Sequence, residues 1–285
     1  MGAPAHPPPV LPPHVAVANH KGGVGKTSTT VGLAAAAADA GERVLVVDMD
    51  PQGNSTRRLR AQLPAALEDR AAASLAGVLP SPGRGEAARI VTSCGWSAPY
   101  SSRIDVLPSD LDLELLGLTA GLPGAERRLL RALTGVVDTY DLVLIDCPPS
   151  LLSHLTDNAW TASDYLVVPC EAEFESVQAA RRVSERITRD RHNLNPDLSI
   201  AGIIPTRYRA ALGVHRARLE DMAKISGPEA ICPTRFPELA VMKTATEKAL
   251  PLAECGSQGR DMAALFRDAY TWLRKRISHL QESAA

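Results

Sequence analysis

Eight consecutive residues, His20-Lys21-Gly22-Gly23-Val24-Gly25-Lys26-Thr27, bring together three glycines, two lysines and a hydroxyl. Glycine lets backbone N–H groups approach an anion closely, because no Cβ stands in the way. A lysine at the end of such a loop can neutralise β- and γ-phosphate charge, and the next hydroxyl can ligate Mg²⁺. Gly22, Gly23, Val24, Gly25, Lys26, Thr27 and Ser28 are therefore the candidate cradle for a nucleoside triphosphate. The usual form of this loop begins with glycine; His20 stands there instead, followed by a second lysine, Lys21. Three aspartates complete the set. Asp48 and Asp50 follow one apolar run, and Asp146 ends another. Phosphoryl transfer asks for placement of metal, water and positive charge rather than covalent chemistry. Two lysines, a hydroxyl and carboxylates suit that task.

These residues need strands and a helix to hold them. Val15-Ala16-Val17-Ala18 before the loop reads as a buried strand, and Thr29-Thr30-Val31-Gly32-Leu33 with the alanines after it reads as a helix. The helix N-terminus adds partial positive charge at the loop. Further buried strands are expected at 43–48, 104–108, 142–146, 165–169 and 199–205, and helices at 126–137, 176–191, 212–225 and 261–280. Continuous Val/Ile/Leu runs alternating with helices predict a doubly wound α/β fold, a mostly parallel sheet covered on both faces. Ligands in such sheets sit at the carboxyl ends of the strands, where the loop, Asp48 and Asp146 all fall. Residues 1–13, with six prolines, are expected to be an extended tail, and 14–281 to form one domain.

The loop Lys-Gly-Gly-Val-Gly-Lys-Thr, the segment Asp48-Met49-Asp50-Pro51-Gln52-Gly53-Asn54 and the run Asp146-Cys147-Pro148-Pro149-Ser150 resemble the three motifs of the ParA/MinD family of P-loop ATPases. The resemblance spans about Val15 to Trp272 and is stronger before Pro169 than after it. It implies a Mg²⁺-dependent ATPase that forms a homodimer with ATP. It implies that Lys21 contacts the partner subunit's nucleotide, that Asp50 positions the attacking water, that Thr27 and Asp146 manage Mg²⁺, and that Asp48 supports metal and loop. By position, Thr206, Arg207 and Pro233 correspond to the family's base pocket, and Glu173 to a glutamate near the dimer interface and sugar; a helix-start acidic cluster is the other reading of Glu173.

Net charge is −1 over 285 residues, but residues 1–180 hold 13 basic and 20 acidic side chains, whereas 181–285 hold 18 and 12. The basic part is where nonspecific DNA contact is expected, through phosphates rather than bases. Candidates are Arg209, Arg216, Arg218, Lys224, Lys243, Lys248 and Arg260. The arginine that the family carries in the loop corresponding to 238–248 is missing here, and Lys243 stands in its neighbourhood. The resemblance thus implies DNA segregation, of plasmid or chromosome, with hydrolysis stimulated by a ParB-type centromere-binding partner. Positioning of a protein cargo is the alternative. A membrane-positioning role of the MinD sort requires a terminal amphipathic helix with bulky apolar residues, and His279-Leu280-Gln281-Glu282-Ser283-Ala284-Ala285 does not provide one. Five scattered cysteines without a C-x-x-C pair argue against an iron–sulfur reductase and suit a reducing cytoplasm, where the resemblance implies a nucleoid-associated location. No apolar run approaches the roughly 20 residues of a membrane span. The loop begins at residue 20, so no operator-binding domain is expected before it.

Overall fold

Seven strands form one sheet in the computed structural model, which describes residues 11–284. They are β1 (His14–Val17), β2 (Val44–Asp48), β3 (Thr92–Ser93), β4 (Ile104–Leu107), β5 (Leu142–Asp146), β6 (Tyr165–Glu171) and β7 (Ser199–Thr206), in the order β3-β4-β2-β5-β1-β6-β7. Every pairing is parallel except that of the two-residue β3 with β4. Beyond β7, a single parallel bridge joins Ile203 to Ile231. Most of the expected 1–13 tail lies outside the described residues.

The strands are apolar on both sides because both faces are covered. Val44 and Val46 pack on one face of the sheet, whereas Leu45 and Val47 pack on the other. This is the period-2 alternation of a strand. The first face carries α1 (Lys26–Asp39) and α10 (Gly256–Ala284); the second carries α4 (Leu75–Val78), α5 (Arg128–Leu133), α6 (His154–Thr161), α7 (Phe174–Leu194) and α8 (Gly213–Ser226). The small residues of α1 let α10 come close. A Cβ added to Gly32 would lie 2.4 Å from the ring of Phe266.

Three further helices are short: α2 (Asn54–Arg58), α3 (Leu67–Ala72) and α9 (Val241–Lys248). The expected strands are all present, within a residue or two. The expected helix 126–137 is shorter, because its regular part stops at Leu133 and Gly135 follows with a left-handed φ of 82°. Residues 238–248, expected as a loop, contain α9, a helix that buries only Val241 and Ala245 fully.

Candidate functional site

The carboxyl ends of β1, β2, β5, β6 and β7 converge on the glycine loop. Gly25 caps α1 with φ 96° and Gly23 has φ 78°, values that side-chain-bearing residues rarely adopt. A Cβ added at Gly22 or Gly23 would meet no atom within 4 Å. The glycines thus leave clear space above the loop, and the first turn of α1 aims its free N–H groups into it. Val24 is buried, and its carbonyl accepts a hydrogen bond from Thr206 Oγ1 at 3.0 Å, which pins the loop to the end of β7.

Gly22, Gly23, Gly25, Lys26, Thr27, Ser28, Asp50 and Arg58 all line one cavity of about 390 Å³. Lys26 is only 8% exposed, and its ammonium donates to the carbonyl of Lys21 at 3.1 Å. Burial holds it below its ordinary value, opposed by the charges of Asp146, Cys147 and Asp50. Burial also raises the Asp50 carboxyl; the Gln52 N–H, which donates to it at 3.0 Å, and Lys26 oppose that shift.

Asp48 and Asp146 are register partners on neighbouring strands and both are fully buried. Asp48 accepts from Thr56 N and Thr56 Oγ1, each at 2.8 Å, and Asp146 accepts from Ser55 Oγ at 2.8 Å. Two adjacent carboxylates therefore grip two adjacent residues of α2. Thr30 on α1 also reaches Asp146, at 3.4 Å. Burial pushes both carboxyls up, with Asp146's charge adding to the effect on Asp48 and the Ser55 and Thr27 hydroxyls opposing it on Asp146. Carboxyls held at such cost beside a hydroxyl form an all-oxygen donor set that a hard divalent cation would relieve. No cluster of three metal-ligating side chains occurs among the described residues. Mg²⁺ does not require one, since it takes one or two protein oxygens plus substrate phosphates. The residues fit: the Thr27 hydroxyl and the Asp146 carboxylate could offer such oxygens.

Lys21 does not line the phosphate cavity. Its ammonium donates to Glu171 at 2.9 Å and Glu173 at 3.1 Å, within its own chain. Burial alone would lower it; the hydrogen bonds and charges of the two glutamates outweigh that and raise it. Asn19, buried at the end of β1, accepts from the Lys21 N–H at 3.1 Å and donates to Pro169 O at 2.7 Å, fixing where Lys21 emerges. Glu171 is 3% exposed and also accepts from Arg207 at 2.7 Å. Sequence reasoning missed it as the shared anchor; the sign was a carboxylate ending the apolar run of β6, as Asp48 and Asp146 end theirs.

A second cavity of about 130 Å³ lies across the loop, and Gly23, Gly25 and Ser28 line both. Thr206 and Arg207, the residues assigned by position to a base pocket, line it with Phe236, Pro237, Met242 and Phe266. The Phe236 and Phe266 rings are 4.5 Å apart. Pro233, expected beside them, is exposed and outside the lining, and Phe236-Pro237 takes that place, because the chain after Ile231 turns back so that Phe236 N bonds Pro205 O at 3.2 Å. A slot with an aromatic wall beside a phosphate cradle suits a nucleotide base.

The candidate DNA residues divide. Arg209 pairs with Glu238 at 2.9 Å, and Arg218 and Lys224 pair with Asp221 at 3.1 and 2.9 Å. Arg216, Lys243, Lys248 and Arg260 are exposed, with no carboxylate partner among the described residues. No described helix is long and apolar enough to cross a membrane.

A family described as an AAA domain matches residues 13–200. The chromosome partitioning protein ParA of Caulobacter vibrioides is 38% identical over 200 residues, covering 68% of this chain and 69% of that protein. The sporulation initiation inhibitor protein Soj of Bacillus subtilis is 33% identical over 260 residues, covering 86% and 88%. This chain belongs to the ParA/Soj family. The match to the uncharacterized protein Rv1708 of Mycobacterium tuberculosis, 38% identical over 195 residues, spans 58% of that protein's length. Among solved structures, apo McdA of Cyanothece superposes with a TM-score of 0.75 at 25% identity, covering 92% of this chain and 99% of that one. Cobyrinic acid a,c-diamide synthase of Mycobacterium smegmatis, bound to ADP and magnesium, does so at 0.66 and 31%, covering 84% and 93%.

Proposed function

We propose that this ParA/Soj relative is a Mg²⁺-dependent ATPase whose nucleotide state governs dimerisation and DNA binding, with residues 14–281 acting as one domain. The observation that carries the reading is the cavity where Lys26, Thr27 and Asp50 meet under the glycine loop. The ADP and magnesium in the M. smegmatis relative support it. Lys26 and the first turn of α1 bind the phosphates. Thr27 and Asp146 would hold Mg²⁺, which would supply charge neutralisation at the phosphates. Asp50, facing Lys26, holds the attacking water, and the base enters the Phe236–Phe266 slot.

Hydrolysis and segregation are linked through α2. Ser55 and Thr56 hang from the two aspartates nearest the phosphates, so a change in the metal's surroundings is felt along α2. Arg60, just beyond α2, donates to Lys248 O at 2.9 Å, which ties α2 to the end of α9. Lys243 and Lys248 sit on α9, and with Arg216 and Arg260 they are the candidates that have no carboxylate partner among the described residues and so are free to meet DNA phosphates. A dimer doubles that footprint, and linked sites raise affinity steeply. We place the protein in plasmid or chromosome segregation, with a ParB-type partner stimulating turnover and a location on the nucleoid.

The test is binding to an arbitrary DNA duplex at fixed salt, without nucleotide, with ADP and with ATP, alongside light scattering. ATP-only DNA binding by a dimer is expected. Lys21→Ala should still bind ADP as a monomer but not dimerise with ATP. Equal DNA binding in all three states would overturn the reading.

A further inference from the structure

The phosphate cavity contains a cation that the motifs do not account for. Arg58, the last residue of α2, is 5% exposed and lines the cavity with Lys26, Thr27 and Asp50. Its Nη1 donates to Ser28 Oγ at 3.0 Å. Among the described residues it makes no ion pair. Of the two other buried arginines, Arg186 is paired with both Asp157 and Asp190, and Arg128 spends two of its nitrogens on the hydroxyl and carbonyl of Thr119. A buried guanidinium is costly unless it is paired, and a single hydroxyl leaves most of its five donors uncommitted. Arg58 also lines a cleft of about 20 Å³ that Asp39 lines as well; the phosphate cavity, about 390 Å³, is the one with room for an anion.

We infer that Arg58 is a nucleotide-binding residue, supplying in cis a forked cation to the phosphates that ADP and ATP share. The inference rests on the ATPase reading above. Placement at the shared phosphates follows from Ser28. That hydroxyl lies on the first turn of α1 and lines both the base slot and the phosphate cavity. A guanidinium bonded to it stands where the chain of phosphates leaves the base, whereas Asp50 marks the water end. Planar guanidinium matches two phosphate oxygens at once, which an ammonium does not. Arg58 also sits on the helix that Asp48 and Asp146 grip through Thr56 and Ser55. Phosphate bound to Arg58 would thus hold α2 from its other end.

A purely structural role is the competing account: Arg58 could serve only to offset the charge of Asp146, Asp48 and Asp50. The two accounts separate by measuring Kd for ADP and for a non-hydrolysable ATP analogue, with the melting temperature of the ligand-free protein, for wild type, Arg58→Gln and Arg58→Lys. The expected result is an ADP and an ATP-analogue Kd raised by the same factor in Arg58→Gln, about 10- to 100-fold for a charge-assisted phosphate contact, with a smaller loss in Arg58→Lys. Arg58→Lys keeps the charge, so it carries the test if Arg58→Gln does not fold. An unchanged ADP Kd with a lowered melting temperature overturns the inference. Loss confined to the ATP analogue also overturns it, by moving Arg58 to the terminal phosphate. If wild type binds neither nucleotide, the ATPase reading fails first and takes the inference with it, whatever the Arg58 variants do.

Discussion

The phosphate end and the basic end of this molecule are built in opposite ways. At the phosphate end the charged groups are buried or half-buried and bonded to a neighbouring element: Asp48 and Asp146 to α2, Lys26 to the loop, Lys21 to Glu171 and Glu173. At the basic end, Lys243, Lys248, Arg216 and Arg260 stand in solvent. Phosphate chemistry depends on placement within a fraction of an ångström, and burial with register provides it. Contact with a DNA backbone depends on net charge over a surface, and exposed side chains suffice. One end is specified residue by residue, and the other only as a sum.

Substitutions should break the two ends unequally. The largest effect is expected from Lys26→Ala, which removes the buried ammonium facing the phosphates; nucleotide affinity should fall more than about 100-fold by calorimetric titration, since charged hydrogen bonds of this kind are worth up to about 3 kcal/mol. A fall of only a few-fold would mean that the loop backbone does the binding. Next comes Asp48→Ala, which strands the buried Thr56 N–H and hydroxyl. Ligand-free stability should drop by about 2–3 kcal/mol in a denaturant titration, with α2 loosened. Little change would show that α2 is held from elsewhere. The smallest is Lys243→Ala: ATP-state DNA affinity should fall a few-fold, and the salt slope should lessen by about one contact per subunit. Loss of DNA binding from that single change would deny that this end acts as a sum.

The same contrast explains what could be read in advance. The loop, the three aspartates and the parallel sheet were legible because each rests on a local pattern: glycines beside lysine, a carboxylate closing an apolar run. Arg58 and Glu171 were not. Their meaning lies in partners 30 and 150 residues away, Ser28 and Lys21, which no spacing rule connects. Pro233 was misplaced for a related reason. Its assignment came from alignment by position, whereas the slot is closed by Phe236, whose ring packs at a tilt against Phe266 of the last helix. α9 escaped notice because its eight residues make little more than two turns and bury only Val241 and Ala245, too short a run for its apolar period to stand out in the sequence. Gly135 was visible in the sequence, but only its positive φ shows that the chain turns away there instead of continuing α5.

The two margins of the sheet carry a last consequence. One ends in the two residues of β3, too brief to template a further strand, and the other is stitched at Ile203 by the bridge to Ile231. Open margins are where β-rich proteins polymerise and form amyloid-like ladders. With one margin brief and the other bridged, the crowding that the proposed DNA binding would produce offers little unpaired backbone for such ladders to start from.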